Sequence, residues 1–140
     1  MRSGRALLAG AAYFAIVFVA GSCLGVIRML WVAPHLGPTL AVAIETPLML
    51  AVSWLACRWV LALYSLGDGA VRRFEMGACA FLLLQAAELG LGVALGRTPA
   101  EHFASFATSA GAIGLAAQMG FGAIPLIVGR RLIGVKRSAE

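Results

Sequence analysis

The chain has 140 residues, 61% of them hydrophobic and 12% charged, with a net charge of +5 and a mean hydropathy of +0.94. Soluble domains average about 45–50% apolar and about 25% charged residues, and a body this small has too much surface to cover with so few charges. A water-soluble globule is excluded, as is a disordered chain. The composition predicts an all-α polytopic membrane protein, a single domain of four spanning helices.

A bilayer core about 30 Å thick needs about 20 helical residues. Arg2 and Arg5 precede an apolar run that passes through Ala20-Gly-Ser-Cys23. This start resembles a secretory or lipoprotein signal, but the run continues to Val32, so cleavage would leave a hydrophobic end. The segment is therefore expected to stay as the first span, about residues 6–32. Pro34-His-Leu-Gly-Pro38 reads as the connection to a second span over 39–63, with Pro38 suited to the first turn of a helix. Ser65-Leu-Gly-Asp-Gly69 and Arg72-Arg73 separate it from a third span over 76–95. Gly96-Arg-Thr-Pro99 leads to a short amphipathic turn over 100–106, predicted to lie on the membrane surface. The fourth span then covers about 106–128.

Basic residues near span ends set orientation. With both termini cytoplasmic, nine of the 11 Lys and Arg (Arg2, Arg5, Arg58, Arg72, Arg73, Arg130, Arg131, Lys136 and Arg137) fall inside, leaving Arg28 and Arg97 toward the outside. That bias predicts an N-in, C-in chain with two short outer loops. The same placement at span ends argues against a nucleic-acid partner, which needs one contiguous basic face.

Membrane helices gain nothing hydrophobic by meeting, so they pack through small residues and polar contacts. Each span carries such a stripe at helical spacing: Gly21, Gly25 and Arg28; Glu45, Met49, Ser53 and Ala56; Gln85, Glu88, Gly92 and Gly96; and Gly111, Gly114, Gln118, Gly122 and Pro125. The glycines are expected at helix crossings. Pro47 and Pro125 are expected to kink spans two and four, because each removes a backbone donor, from the carbonyls of Ala43 and Phe121 respectively.

Arg28, Glu45 and Glu88 are the charges inside the apolar spans that matter most, with Gln85 and Gln118 as polar neighbours. At 1.5 Å per residue, Arg28 lies ~9 Å before Pro34, Glu45 ~10 Å after Pro38 and Glu88 ~12 Å before Gly96. Three helices therefore carry a charge at nearly one depth in the outer half of the bilayer. A lone charge at the bilayer centre costs at least ~2.5–3.5 kcal/mol, so embedded charges face the bundle and pair. One arginine facing two carboxylates leaves an excess acid, so either that carboxyl is protonated or water reaches it. Two uses fit: an interhelical clamp, or an outward-facing polar cavity for a cation, a proton or a lipid headgroup. Arg58 is expected to snorkel to the cytoplasmic interface or to pair with Asp68 or Glu75. Trp31, Trp59, Tyr13 and Tyr64 read as interfacial aromatics near span ends, with Trp54 nearer the middle.

The remaining chemistry is sparse. Cys23, Cys57 and Cys79 are odd in number and sit in apolar runs without a C-x-x-C spacing, which reads as small hydrophobes. His35 and His102, with Glu101, fall in separate outer loops and read as solvated histidines in preference to zinc ligands. With no histidine inside a span, neither haem ligation nor activation of Ser22 or Ser53 as a nucleophile is supported. No enzyme, cofactor or metal site is expected.

The pattern Gly25-Val-Ile-Arg28-Met-Leu-Trp31, then Pro34-His-Leu-Gly37, then Glu45-Thr-Pro47-Leu-Met49-Leu50 resembles one found in small uncharacterised bacterial inner-membrane proteins of four helices, over about the first 60 residues. That resemblance implies the four-helix architecture and no chemistry. Four-helix multidrug exporters are similar in size, but they carry a membrane glutamate in the first helix, where this chain has Arg28. The expected role is a non-enzymatic helical-bundle module or accessory subunit, with the bilayer and a membrane-protein partner or a second copy as its contacts. The alternative is a small transporter or cation-, proton- or lipid-binding protein using Glu45 and Glu88.

Overall fold

The computed structural model describes residues 2–66 and 69–137, and side chains over 4–66 and 69–128. Those residues are all-helical: α1 (Arg2–Ile27), a π-helical turn (Arg28–Val32), α2 (Ala33–Leu36), α3 (Pro38–Tyr64), α4 (Ala70–Ala94), α5 (Pro99–Ser105) and α6 (Ser109–Arg137). Four helical rods are long and apolar enough to cross a membrane: Gly4–Leu36, Pro38–Tyr64, Ala70–Ala94 and Ser109–Val128.

The first connection differs from the sequence expectation. Helix continues through Pro34 to Leu36, and Gly37 alone, at φ 80°, turns the chain into α3 with Pro38 in its first turn. A proline within an α-helix lacks its N–H and collides with the carbonyl four residues back, here that of Leu30. The π turn widens the helix just before Pro34, with the Ala33 amide donating to the Arg28 carbonyl. Pro34 then falls in the first turn of α2, where a missing N–H costs nothing. His35, expected as a solvated loop residue, places Nδ1 2.7 Å from the Trp31 carbonyl and so helps close this widened end.

The third rod starts at Ala70, six residues before the predicted boundary at 76, and takes Arg72 and Arg73 into its first turn. Arg73 is buried; an arginine stem can lie along apolar surface without ending a helix. Gly96, at φ 86°, ends the chain's run through α4. Thr98 then opens α5 with a capping box: the Glu101 carboxylate accepts from the Thr98 amide at 2.8 Å, and the Thr98 hydroxyl accepts from the Glu101 amide at 3.2 Å. The fourth rod starts at Ser109 instead of 106, after the Thr108 hydroxyl has accepted the Gly111 amide at 3.0 Å.

Around the bundle, α1 packs on α3 and α4, and α6 packs on the same two helices. The successive helices α3 and α4 therefore occupy opposite corners, and the chain forms two antiparallel hairpins, α1–α3 and α4–α6, docked side by side. The docking surface is close. A Cβ at Gly10 would stand 2.7 Å from the Met76 carbonyl oxygen and 2.9 Å from the Cys79 Cβ.

The buried core gathers away from α5. Tyr13 and Val17 of α1, Cys57 and Val60 of α3, Met76 of α4 and Phe121 of α6 belong to it. Toward the α5 end, only Ala41, Gly92 and His102 are buried among the described residues. Met29, Leu30, Trp31, Trp59 and Leu95 are exposed apolar side chains, which suits a surface that meets lipid tails.

Candidate functional site

Tyr13 is fully buried, not interfacial. Pro125 has no N–H to give to Phe121 four residues earlier, which leaves that carbonyl without its helical donor. The Tyr13 hydroxyl crosses the bundle and donates to it at 3.0 Å, while the two rings stack at 4.5 Å and 25°. The sequence held the signal: a proline inside a span creates an orphan acceptor, and a buried hydroxyl on another span can satisfy it. Pro47 likewise lies inside α3.

The membrane-depth charges form two separate pairs. Arg28, at the first position of the π turn, places Nε 2.6 Å from Glu45 Oε2 on α3, with the two side chains 33% and 17% exposed. Glu88 on α4 faces Gln118 on α6, whose Nε2 donates to both carboxylate oxygens at 2.7 Å. Arg28 makes its ion pair with Glu45 and not with Glu88, although Arg28 and His102 both act electrostatically on Glu88. Gln85 lies one turn before Glu88, and its Oε1 is buried with no hydrogen-bond partner among the described residues. The Gln118 Oε1 is in the same condition.

His102 is the residue near this site that sequence reasoning misplaced. It is 8% exposed, on α5 and not in a solvated loop, with Phe103 and Phe106 meeting its ring edge-on at 5.6 and 5.2 Å. Its Nδ1 lies 3.8 Å from where a Cβ on Gly92 would stand, so the bare face of Gly92 gives the imidazole its seat. Gly92 is one turn beyond Glu88 on α4. Nothing in the spacing of loop residues signalled this; it follows from α5 folding back onto α4.

The stripe glycines divide. A Cβ on Gly122 would stand 3.3 Å from Phe81 Cβ and 3.6 Å from the Gly77 carbonyl oxygen, and a Cβ on Gly77 would collide with the Gly122 carbonyl. This pair lets α4 and α6 cross backbone to backbone. A Cβ on Gly21 would stand 3.1 Å from the flexible end of Met49. A Cβ on Gly25 would meet only Arg28 of its own helical rod, Gly96 serves a turn, and a Cβ on Gly114 would enter open space, so these three are not crossing positions. Gly10 and Gly77 are, and they lie outside the predicted stripes because their partners belong to other helices.

Arg58 is exposed, and among the described residues no ion pair joins it to Glu75; Asp68 lies outside the described residues. Among the described residues no three His, Cys, Asp or Glu side chains converge as a metal site. Outside the spans, the Glu101 carboxyl is held below the usual carboxylate range, first by the Thr98 amide and then by the Thr98 hydroxyl. No family model, curated protein or solved structure matches the chain.

Proposed function

We propose that this chain is a non-enzymatic protein of the bacterial inner membrane, with both termini cytoplasmic, that serves as a structural module or accessory subunit of a larger membrane complex. One observation carries the reading. Three polar contacts within the spans join neighbouring helices: Arg28 to Glu45, Glu88 to Gln118 and Tyr13 to the Phe121 carbonyl. Such contacts hold a bundle together and arrange no nucleophile beside a base. The membrane, the basic bias toward one side and the resemblance over the first 60 residues support the location.

Purification in mild detergent followed by intact-complex mass analysis tests the role. Stoichiometric co-purifying membrane proteins are expected, and a chain that purifies only with itself overturns the subunit reading. Reporter fusions test the orientation. Fusions after residue 140 and within 65–71 should report cytoplasm, and fusions at Gly37 and Thr98 periplasm. A periplasmic C-terminus would overturn both the span count and the charge argument.

A further inference from the structure

The hydrogen bonds around Glu88 do not balance. One amide nitrogen, Gln118 Nε2, serves both carboxylate oxygens at 2.7 Å. The buried Oε1 atoms of Gln118 and Gln85 have no donor among the described residues. Three acceptor oxygens, two on Glu88 and one on Gln118, thus meet one donating amide nitrogen, and the buried Gln85 Oε1 lies one turn earlier on α4. The charged and titratable groups near Glu88 are Arg28 from the π turn and His102 from α5, and Arg28 is already engaged by Glu45 of α3. An ionised Glu88 would therefore leave a charge inside the bundle with only a neutral amide in contact, which a membrane interior disfavours.

A proton supplies what is missing. A carboxylic acid and a primary amide can form a two-bond ring, the acid O–H donating to the amide oxygen and the amide N–H donating to the other acid oxygen. Since an amide oxygen stands next to its nitrogen, a small rotation of the Gln118 amide brings its Oε1 to the acid O–H while its Nε2 keeps the second bond. Both Glu88 oxygens and the Gln118 oxygen are then satisfied, and no charge remains. A metal ion fits less well. Oxygen-bound divalent ions take six or more ligands, whereas a proton needs one lone pair.

We propose that Glu88 and Gln118 form a proton-binding site near the α5 end of the bundle, with His102 seated over its approach on the Gly92 face. The site asks nothing of the structural role proposed above: a chain that purifies alone and one that purifies in a complex should behave alike.

The test uses the full chain in lipid nanodiscs. Dicyclohexylcarbodiimide, an apolar reagent that attacks protonated carboxyls, is applied across a pH series, and the adduct is located by peptide mass mapping. The expected result is labelling at Glu88 that falls as pH rises, with Glu45 labelled much less. A protonated-carboxyl infrared band should titrate in parallel, disappear in Glu88→Gln and persist in Glu45→Gln. Because the labelling is read in the unmodified protein, the outcome does not depend on the variants folding. Repeating the pH series with potassium in place of sodium should leave the midpoint unchanged. No adduct at any pH, an adduct centred on Glu45, or a midpoint that follows the alkali cation would each overturn the proposal.

Discussion

Replacing Tyr13 by phenylalanine should expose what Pro125 does to the bundle. The substitution keeps the ring that stacks on Phe121 at 4.5 Å and opens no space for a second side chain. Only the hydroxyl that donates to the Phe121 carbonyl at 3.0 Å is lost. Leaving a buried acceptor unsatisfied costs ~1–3 kcal/mol, while hydrogen bonds between membrane helices average ~0.6 kcal/mol and reach ~1.7. Since Pro125 has already removed the helical donor, the loss in Tyr13→Phe should be ~1–2 kcal/mol, toward the upper end of the membrane range. In a Pro125→Ala background the restored amide reaches the same carbonyl, and Tyr13→Phe should then cost under ~0.5 kcal/mol, the ordinary limit of additivity between uncoupled sites. Reversible unfolding in mixed micelles, followed by circular dichroism for all four members of the cycle, measures the coupling. An equal penalty in both backgrounds would refute the assignment of the hydroxyl to the proline's orphan carbonyl.

Three further outcomes follow from the geometry. Gly77→Ala places a methyl against the Gly122 carbonyl and should cost ~1–3 kcal/mol by overpacking, whereas Gly114→Ala meets open space and should be neutral or gain up to ~1 kcal/mol of helix propensity; thermal melting in detergent separates them. Arg28→Ala strands the Glu45 carboxylate, at less than the ~3–5 kcal/mol of a fully buried pair because the arginine side chain is 33% exposed, and adding Glu45→Gln should recover much of the loss in the same assay. The depressed Glu101 carboxyl gives α5 a contribution that is complete above the ordinary carboxylate range and lost as pH falls through the folded-state value. Protection of the Thr98 and Glu101 amides against exchange, taken relative to the intrinsic rate at each pH, should therefore fall at acid pH, and in Thr98→Ala it should already be low at neutral pH.

The four rods were legible because a membrane span is written in length and apolarity, which need no knowledge of neighbours. Their ends were less so. Pro34 reads as a break until a π turn absorbs it, and Arg72 and Arg73 read as loop until their stems are laid along the helix. The spacing of Arg28, Glu45 and Glu88 placed them at a common depth, but depth does not choose partners. That choice depends on which helices are adjacent, and the order around the bundle puts α3 beside α6 and away from α4. Gly10 and Gly77 were invisible for the same reason, since a close crossing is a property of two helices and a stripe is a property of one. The link from Tyr13 to Phe121 spans 108 residues, yet the acceptor at its far end could be read directly from Pro125.

The arrangement of two hairpins divides the chemistry as well as the chain. Arg28 meets Glu45 within the first hairpin, and Glu88 meets Gln118 within the second. Among the contacts that join the hairpins are a glycine against a backbone carbonyl, two stacked rings, a phenolic hydrogen bond and the Cys79 thiol donating to the Leu7 carbonyl. A ribosome feeding this chain into a bilayer thus delivers two packets, each carrying the partner for its own membrane-depth charge before it has to meet the other. The costly electrostatic step is completed locally and early, and the later, longer-range step of docking is left to shape.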